Sequence, residues 1–178
     1  MTHATHASPA NPSVYLAGFD VFRPDAIEHG QHLKRLCGRY GFEGLYPLDN
    51  AAPAGLAGRA LARWIFEANV QLLRRADFVM ANLNPFRGAE PDSGTVFEVG
   101  FAVARGTPVW VYTDVAVPLT AQIPCVRQGS RLVDAQGCTV EDFGLNLNLM
   151  IACSVEVVIG DAEACLRRMA AEHDGQAG

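Results

Sequence analysis

Short apolar runs rich in β-branched and aromatic residues alternate along this chain with longer stretches of helical periodicity, and that alternation constrains the fold more than any other feature. SVYLAG (13–18), DFVMANL (77–83) and VWVY (109–112) have the length and apolar character of buried strands. Ile27, Leu33, Leu36 and Tyr40 recur at roughly helical spacing within 25–40. Leu61, Ile65, Ala68 and Leu72 recur at i, i+4, i+7 and i+11, which predicts an amphipathic helix over 56–75 with Arg74 and Arg75 near its C-terminal dipole. A further helix is predicted over 95–105, ended by Gly106. Strands joined by helical segments of crossover length pair in parallel, and a parallel sheet needs both faces covered. The fold class is therefore α/β.

In detail the pattern predicts a flavodoxin-like, doubly wound sandwich with about five parallel strands and helices on both faces. EGLYP (43–47) is a strand candidate, and 48–56 and 84–93 read as loops by their Pro, Gly, Asp and Asn content. The segment 115–143 reads mostly as loop, with turn chemistry at Gln136 and Gly137. Residues 148–160 suit a helix, a strand or both in succession, and 161–173 suits a terminal helix with Leu166 and Met169 facing inward. There is no internal repeat, and the expectation is one domain over 14–173 between a disordered polar tail at 1–13 and a short tail at 174–178.

Composition narrows the function classes. The chain of 178 residues carries a net charge of −5 with its arginines dispersed among acidic residues, so no basic stripe suits a phosphate backbone and no nucleic-acid partner is expected. No apolar run is long enough to span a bilayer, and the polar N-terminal stretch lacks the basic and apolar regions of a secretory signal, so no membrane role is expected. Cys37, Cys125, Cys138, Cys153 and Cys165 are an odd number at wide spacings without a CxxC pair, which fits a reduced, cytoplasmic protein with buried thiols. His29 and His32 stand three apart on a helix with no third ligand at matching spacing, which reads as a solvated face and no metal.

The stretch PDSGTVFEVG (91–100) follows the second strong strand, where ligands bind outside the carboxyl ends of a parallel sheet. Asp92 would sit at or before the first residue of a helix and Glu98 about one turn inside it, so both carboxylates could face one crevice. Paired carboxylates in a cleft can divide into an ionised nucleophile and a proton donor. Locally, however, Thr95-Val96-Phe97-Glu98 is a T-x-x-E capping box with Thr95 as N-cap and Glu98 reaching back to its amide, and on the decapeptide alone that reading is favoured.

Further pieces of the chain bear on that choice. VYLAG (14–18), VF and PD at 21–22 and 24–25, YPLDN (46–50), ANLNPFRG (81–88), PDSGTVFEVGFA (91–102) and NLNLM (146–150) resemble, in order, the nucleoside 2-deoxyribosyltransferase family. The resemblance implies exchange of the base on a 2′-deoxynucleoside, in nucleoside salvage, without metal or organic cofactor. It casts Glu98 as nucleophile, Asp92 as the residue handling the proton on the base, and Tyr15 as the hydroxyl that positions Glu98. It also places Gly18 at the substrate, aligns Asn69 with a base-contacting position, and matches Asn148 and Met150 to a segment lent to a neighbour's pocket. A shared site implies a homodimer, or a hexamer built from dimers. Phe19 and Phe22 after the first strand are stacking candidates, with core packing as the other reading. Arg87, in the same loop as Asp92, reads as a solvated loop arginine.

The chemistry implied is attack of Glu98 on C1′ through an oxocarbenium-like transition state, giving a deoxyribosyl ester that a second base resolves with retention. Helix N-terminal amides would hold Glu98 ionised. The alternatives on the same fold are a 2′-deoxynucleoside 5′-monophosphate N-glycosidase, which releases its sugar to water, and a non-catalytic sensor of nucleotide derivatives.

Overall fold

The computed structural model describes residues 11–176. β1 (Ser13–Gly18) leads through a 3-10 turn over Phe19–Phe22 into α1 (Ala26–Arg39), and β2 (Glu43–Leu45) leads through a second 3-10 turn into α2 (Gly58–Arg75). β3 (Phe78–Asn82), α3 (Ser93–Ala104) and β4 (Val109–Thr113) follow. Then come a short α4 (Leu119–Gln122), a hairpin of β5 (Val126–Gln128) and β6 (Arg131–Val133), a one-turn α5 (Leu149–Ala152), β7 (Glu156–Ile159) and α6 (Ala162–Gln176).

β1, β2, β3, β4 and β7 pair in parallel in the order β2-β1-β3-β4-β7, the doubly wound arrangement expected. Alternation along each strand sends neighbouring side chains to opposite faces. Val14 and Leu16 therefore pack with Leu33, Leu36 and Cys37 of α1 and Cys165, Leu166 and Met169 of α6. Tyr15 and Ala17 pack on the other face with Leu72 and Leu73 of α2, Val99 and Ala102 of α3, and Ile151 of α5. The chain leaves β1 toward one face and β3 toward the other. That divergence opens a crevice above their carboxyl ends.

Some expectations hold and others change. The segment 115–143 is mostly loop, as expected, but it also holds α4 and the antiparallel hairpin, whose short strands bury only Val133, so no hydrophobic alternation announces them. The turn at Gln136 and Gly137 is present, tied by the Asp134 carboxylate to the amides of Gln136 and Cys138. Residues 148–160 are helix and strand in succession, and α6 continues to Gln176 through positions assigned to a tail. Only Cys37 and Cys165 are buried; Cys125 is half-buried, and Cys138 and Cys153 are exposed. Residues 1–10 and 177–178 of the expected tails lie outside the described residues. Among those described, no helix is long and apolar enough to cross a membrane.

Candidate active site

The start of α3 decides the role of both carboxylates. Asp92, in extended conformation, is the N-cap: its Oδ2 accepts the Thr95 amide at 2.9 Å and the Thr95 hydroxyl at 3.0 Å. The expected capping box is therefore not formed. The helix begins earlier than its apolar periodicity suggested, so Thr95 lies in the first turn and its amide is already satisfied. Glu98 is left free to face the sheet.

There it meets β1. The Tyr15 hydroxyl donates to Glu98 Oε1 at 2.5 Å. Tyr15 is fully buried, and that burial, with the Glu98 carboxylate beside it, pushes its phenol far up, so it stays a donor at any working pH. Burial also pushes the Glu98 carboxyl up to about 7, with the Asp92 charge adding to the rise and the Tyr15 hydrogen bond opposing it. This corrects the expectation that helix amides hold Glu98 ionised. The first-turn donors of Thr95 serve Asp92, and Glu98 takes only the Tyr15 hydroxyl among the described residues.

Glu98, Asp92, Gly18, Phe22 and Asn69 line one cleft of about 360 Å³. Phe22 is 57% exposed and lines the cleft. Gly18 lets the β1 terminus pass close to β3: a Cβ there would lie 2.7 Å from Asp20 Oδ2 and 2.9 Å from Asn82 Cβ. Phe19 is not in this cleft. It stacks on Phe86 at 5.0 Å and lines a second cleft on the other face of the sheet. Arg87 is exposed but not simply solvated: its guanidinium lies 4.6 Å from the Phe86 centroid and 5.5 Å from that of Phe22, bracing the aromatic stack. His29 likewise leaves the solvated face predicted for it and stands 3.2 Å from the Asp20 carboxylate.

Asn148 and Met150 do not reach the cleft of their own chain. Asn148 caps α5 through the Met150 amide at 3.0 Å and donates to Glu141 at 2.7 Å, while Met150 is 73% exposed. Sequence reasoning missed Trp64, Pro47, Leu48 and Asn50, which close the far end of the cleft. Trp64 lies four residues before Ala68, on the face of α2 already identified as apolar, and a large aromatic at that spacing was the available signal. No group of three or more His, Cys, Asp or Glu among the described residues is placed to hold a metal ion.

Three comparisons bear on this arrangement. The family model described as nucleoside 2-deoxyribosyltransferase matches residues 14–150. The solved structure of a 2-deoxyribosyltransferase from Leishmania mexicana is similar at a TM-score of 0.74 and 31% identity, over 91% of this chain and 99% of that one. A 2-deoxyribosyltransferase from Bacillus psychrosaccharolyticus shares the fold at a TM-score of 0.56 and 18% identity, over 84% of this chain and 87% of that one. An uncharacterised protein of Schizosaccharomyces pombe is 38% identical over 105 residues, which is 57% of this chain and 50% of that relative's length.

Proposed function

The chain belongs to the nucleoside 2-deoxyribosyltransferase family, and on that premise we propose that it transfers the deoxyribosyl group of a 2′-deoxynucleoside to another nucleobase through a covalent ester on Glu98. The observation that carries this reading is the hydrogen bond from Tyr15 to Glu98 inside a cleft that Asp92 also lines. An isolated cap would not need a buried tyrosine holding the carboxylate.

In the forward step a Glu98 oxygen bonds C1′ as the C1′–N bond breaks. Its electron pair leaves with the base, which takes a proton from Asp92 or from a water that Asp92 positions. Both Thr95 donors converge on Oδ2 of Asp92, leaving Oδ1 free for the base. Proton transfer of this kind contributes roughly 10²- to 10⁴-fold. Tyr15 fixes the carboxylate rotamer through its hydrogen bond. A second base then attacks C1′, returns the proton to Asp92 and frees Glu98, with overall retention.

The site is open on one side. Phe66 and Phe97, both exposed and 6.0 Å apart, lie beside Glu98, and Phe101 extends the patch. An exposed aromatic face that continues into a reaction cleft suits a second copy of the chain. That copy would lend Asn148 and Met150, which do not line the cleft of their own chain.

The test is incubation of deoxyinosine with free adenine, followed by chromatography. Deoxyadenosine and hypoxanthine should appear in equal amounts, with slow release of deoxyribose when adenine is omitted. If only deoxyribose accumulates, the protein is a hydrolase. If Glu98→Ala exchanges bases at the wild-type rate, the ester mechanism is lost.

A further inference from the structure

The carboxyl ends of β1, β3 and β4 carry polar side chains that the chemistry at Glu98 does not use. Asp20 is 5% exposed, and its carboxylate accepts Asn82 Nδ2 at 2.9 Å and faces His29 Nε2 at 3.2 Å. Asn84 donates to Asn82 Oδ1 at 3.0 Å, and its own Oδ1 accepts the Asp114 amide at 2.9 Å and the Thr113 hydroxyl at 3.3 Å. Asp20, Asn82 and Asn84 line a cleft of about 440 Å³ whose walls come from α1 and α6, on the sheet face opposite α3. It opens at the same point of strand divergence as the Glu98 cleft, where doubly wound sheets bind ligands.

Tyr112 lines this second cleft and is 6% exposed, yet its hydroxyl has no hydrogen-bond partner among the described residues. The hydroxyl is open to the cleft and can be reached by a ligand there. Burial and the nearby Asp20 charge push the phenol well up, so it is present as a neutral hydroxyl. The Tyr46 hydroxyl and Trp110 Nε1, the buried side-chain atoms without a partner among the described residues, do not line this cleft.

The charge around the cleft is acidic. Asp20, Asp114, Asp161 and Glu163 face Arg23, whose guanidinium is already engaged by both oxygens of Asp25 at 2.8 and 2.9 Å. Asp161 gives one oxygen to the Ala164 amide, and Glu163 accepts the Tyr40 hydroxyl. The Asp114 carboxylate has no partner among the described residues. Phe19, Leu33 and Leu36 supply apolar surface beside these groups. We infer that this cleft is a second binding site, for a compact organic cation whose ammonium donates to the Asp114 carboxylate and the Tyr112 hydroxyl while its carbon chain lies along Phe19, Leu33 and Leu36.

The inference does not depend on the transferase reading. Its test is titration of the full chain with 1,4-diaminobutane and with spermidine at low ionic strength, read by calorimetry and by thermal shift. Butyrate and 1,4-butanediol serve as anionic and neutral comparisons. At least one amine should bind saturably, more weakly in high salt, and the comparison compounds should not. Asp114→Asn and Tyr112→Phe should each weaken binding about tenfold. Tyr112→Phe should leave the free protein as stable as wild type or more so, since it removes a hydroxyl without a partner. Failure of both amines to bind, equal binding by the comparison compounds, or binding unaltered in both variants would overturn the assignment. So would a loss of stability in Tyr112→Phe, which would mean that the hydroxyl is already satisfied within the protein.

Discussion

Tyr15 and Glu98, 83 residues apart in the chain, meet through a 2.5 Å hydrogen bond that joins β1 to α3. The bond stabilises the ionised carboxylate and so holds its pKa below what burial alone would impose. Removing it by Tyr15→Phe should slow exchange about 10- to 100-fold. The acidic limb of the kcat/KM profile should move to higher pH, because Glu98 would then keep its proton longer. An unmoved limb in the pH-rate profile would mean that the hydroxyl does not govern the carboxylate.

The same carboxyl links activity to stability. In the folded protein it titrates near 7, against an ordinary value of 4.5, so between those pH values the folded state holds a proton that the unfolded chain has lost. Its contribution to stability is fully present below pH 4.5 and is lost as pH rises through 7. Above that, the cost is on the order of 3 kcal/mol. Glu98→Gln keeps an acceptor for Tyr15 and has no charge to bury. It should be inactive but more stable than wild type at pH 8, with little difference at pH 4.5, as read from urea midpoints. An equal difference at the two pH values would contradict the account.

Asp92 carries two duties that substitution can separate. Asp92→Asn retains an oxygen for the Thr95 amide and should leave stability within about 0.5 kcal/mol of wild type. It cannot pass a proton as a carboxyl does, so exchange should fall roughly 10²- to 10⁴-fold. Asp92→Ala should lose both the activity and about 1 kcal/mol of helix stability. Comparable unfolding of the two variants would show that the cap does not depend on the side-chain oxygen.

In α1, an alanine for Gly30 would by helix propensity alone stabilise the protein by about 1 kcal/mol. A Cβ at that position would overlap the ring of Tyr46. Gly30→Ala is therefore expected to destabilise by about 1 to 3 kcal/mol, measured by thermal or denaturant unfolding.

If partners share the active site, Glu98→Ala and Asn148→Ala should each be inactive alone and partly active when mixed. Random pairing leaves about a quarter of the sites with both residues intact. Activity that stays absent after denaturing and refolding the mixture together would argue for self-contained sites.

The elements legible in the sequence are those whose side-chain pattern matches a buried face. β1, β3 and β4 announce themselves because both of their faces are covered, and α2 because an apolar stripe runs along it, buried at Leu72 and lining the cleft at Ile65 and Ala68. The strands of the β5–β6 hairpin bury only Val133 and leave no such pattern, so the sequence predicts loop there. At the site, residue types and order pointed to Glu98, Asp92 and Tyr15 through the motifs they belong to. Their geometry was beyond the sequence. A T-x-x-E box is a strictly local expectation. Whether Glu98 turns back on the helix or out toward Tyr15 depends on which residue satisfies the first-turn amides and on what β1 presents across the sheet.

The sequence by itself determined the parallel α/β architecture and the family, because periodicity and motif order are carried by neighbouring residues. Only the tertiary structure decided that Asp92 caps α3, that Glu98 lies half-buried against Tyr15 with its carboxyl pushed up to about 7, and that Phe19 and Phe22 line different clefts. Those outcomes depend on hydrogen-bond competition and desolvation between segments distant in the chain, and neither is set until the strands and helices have packed.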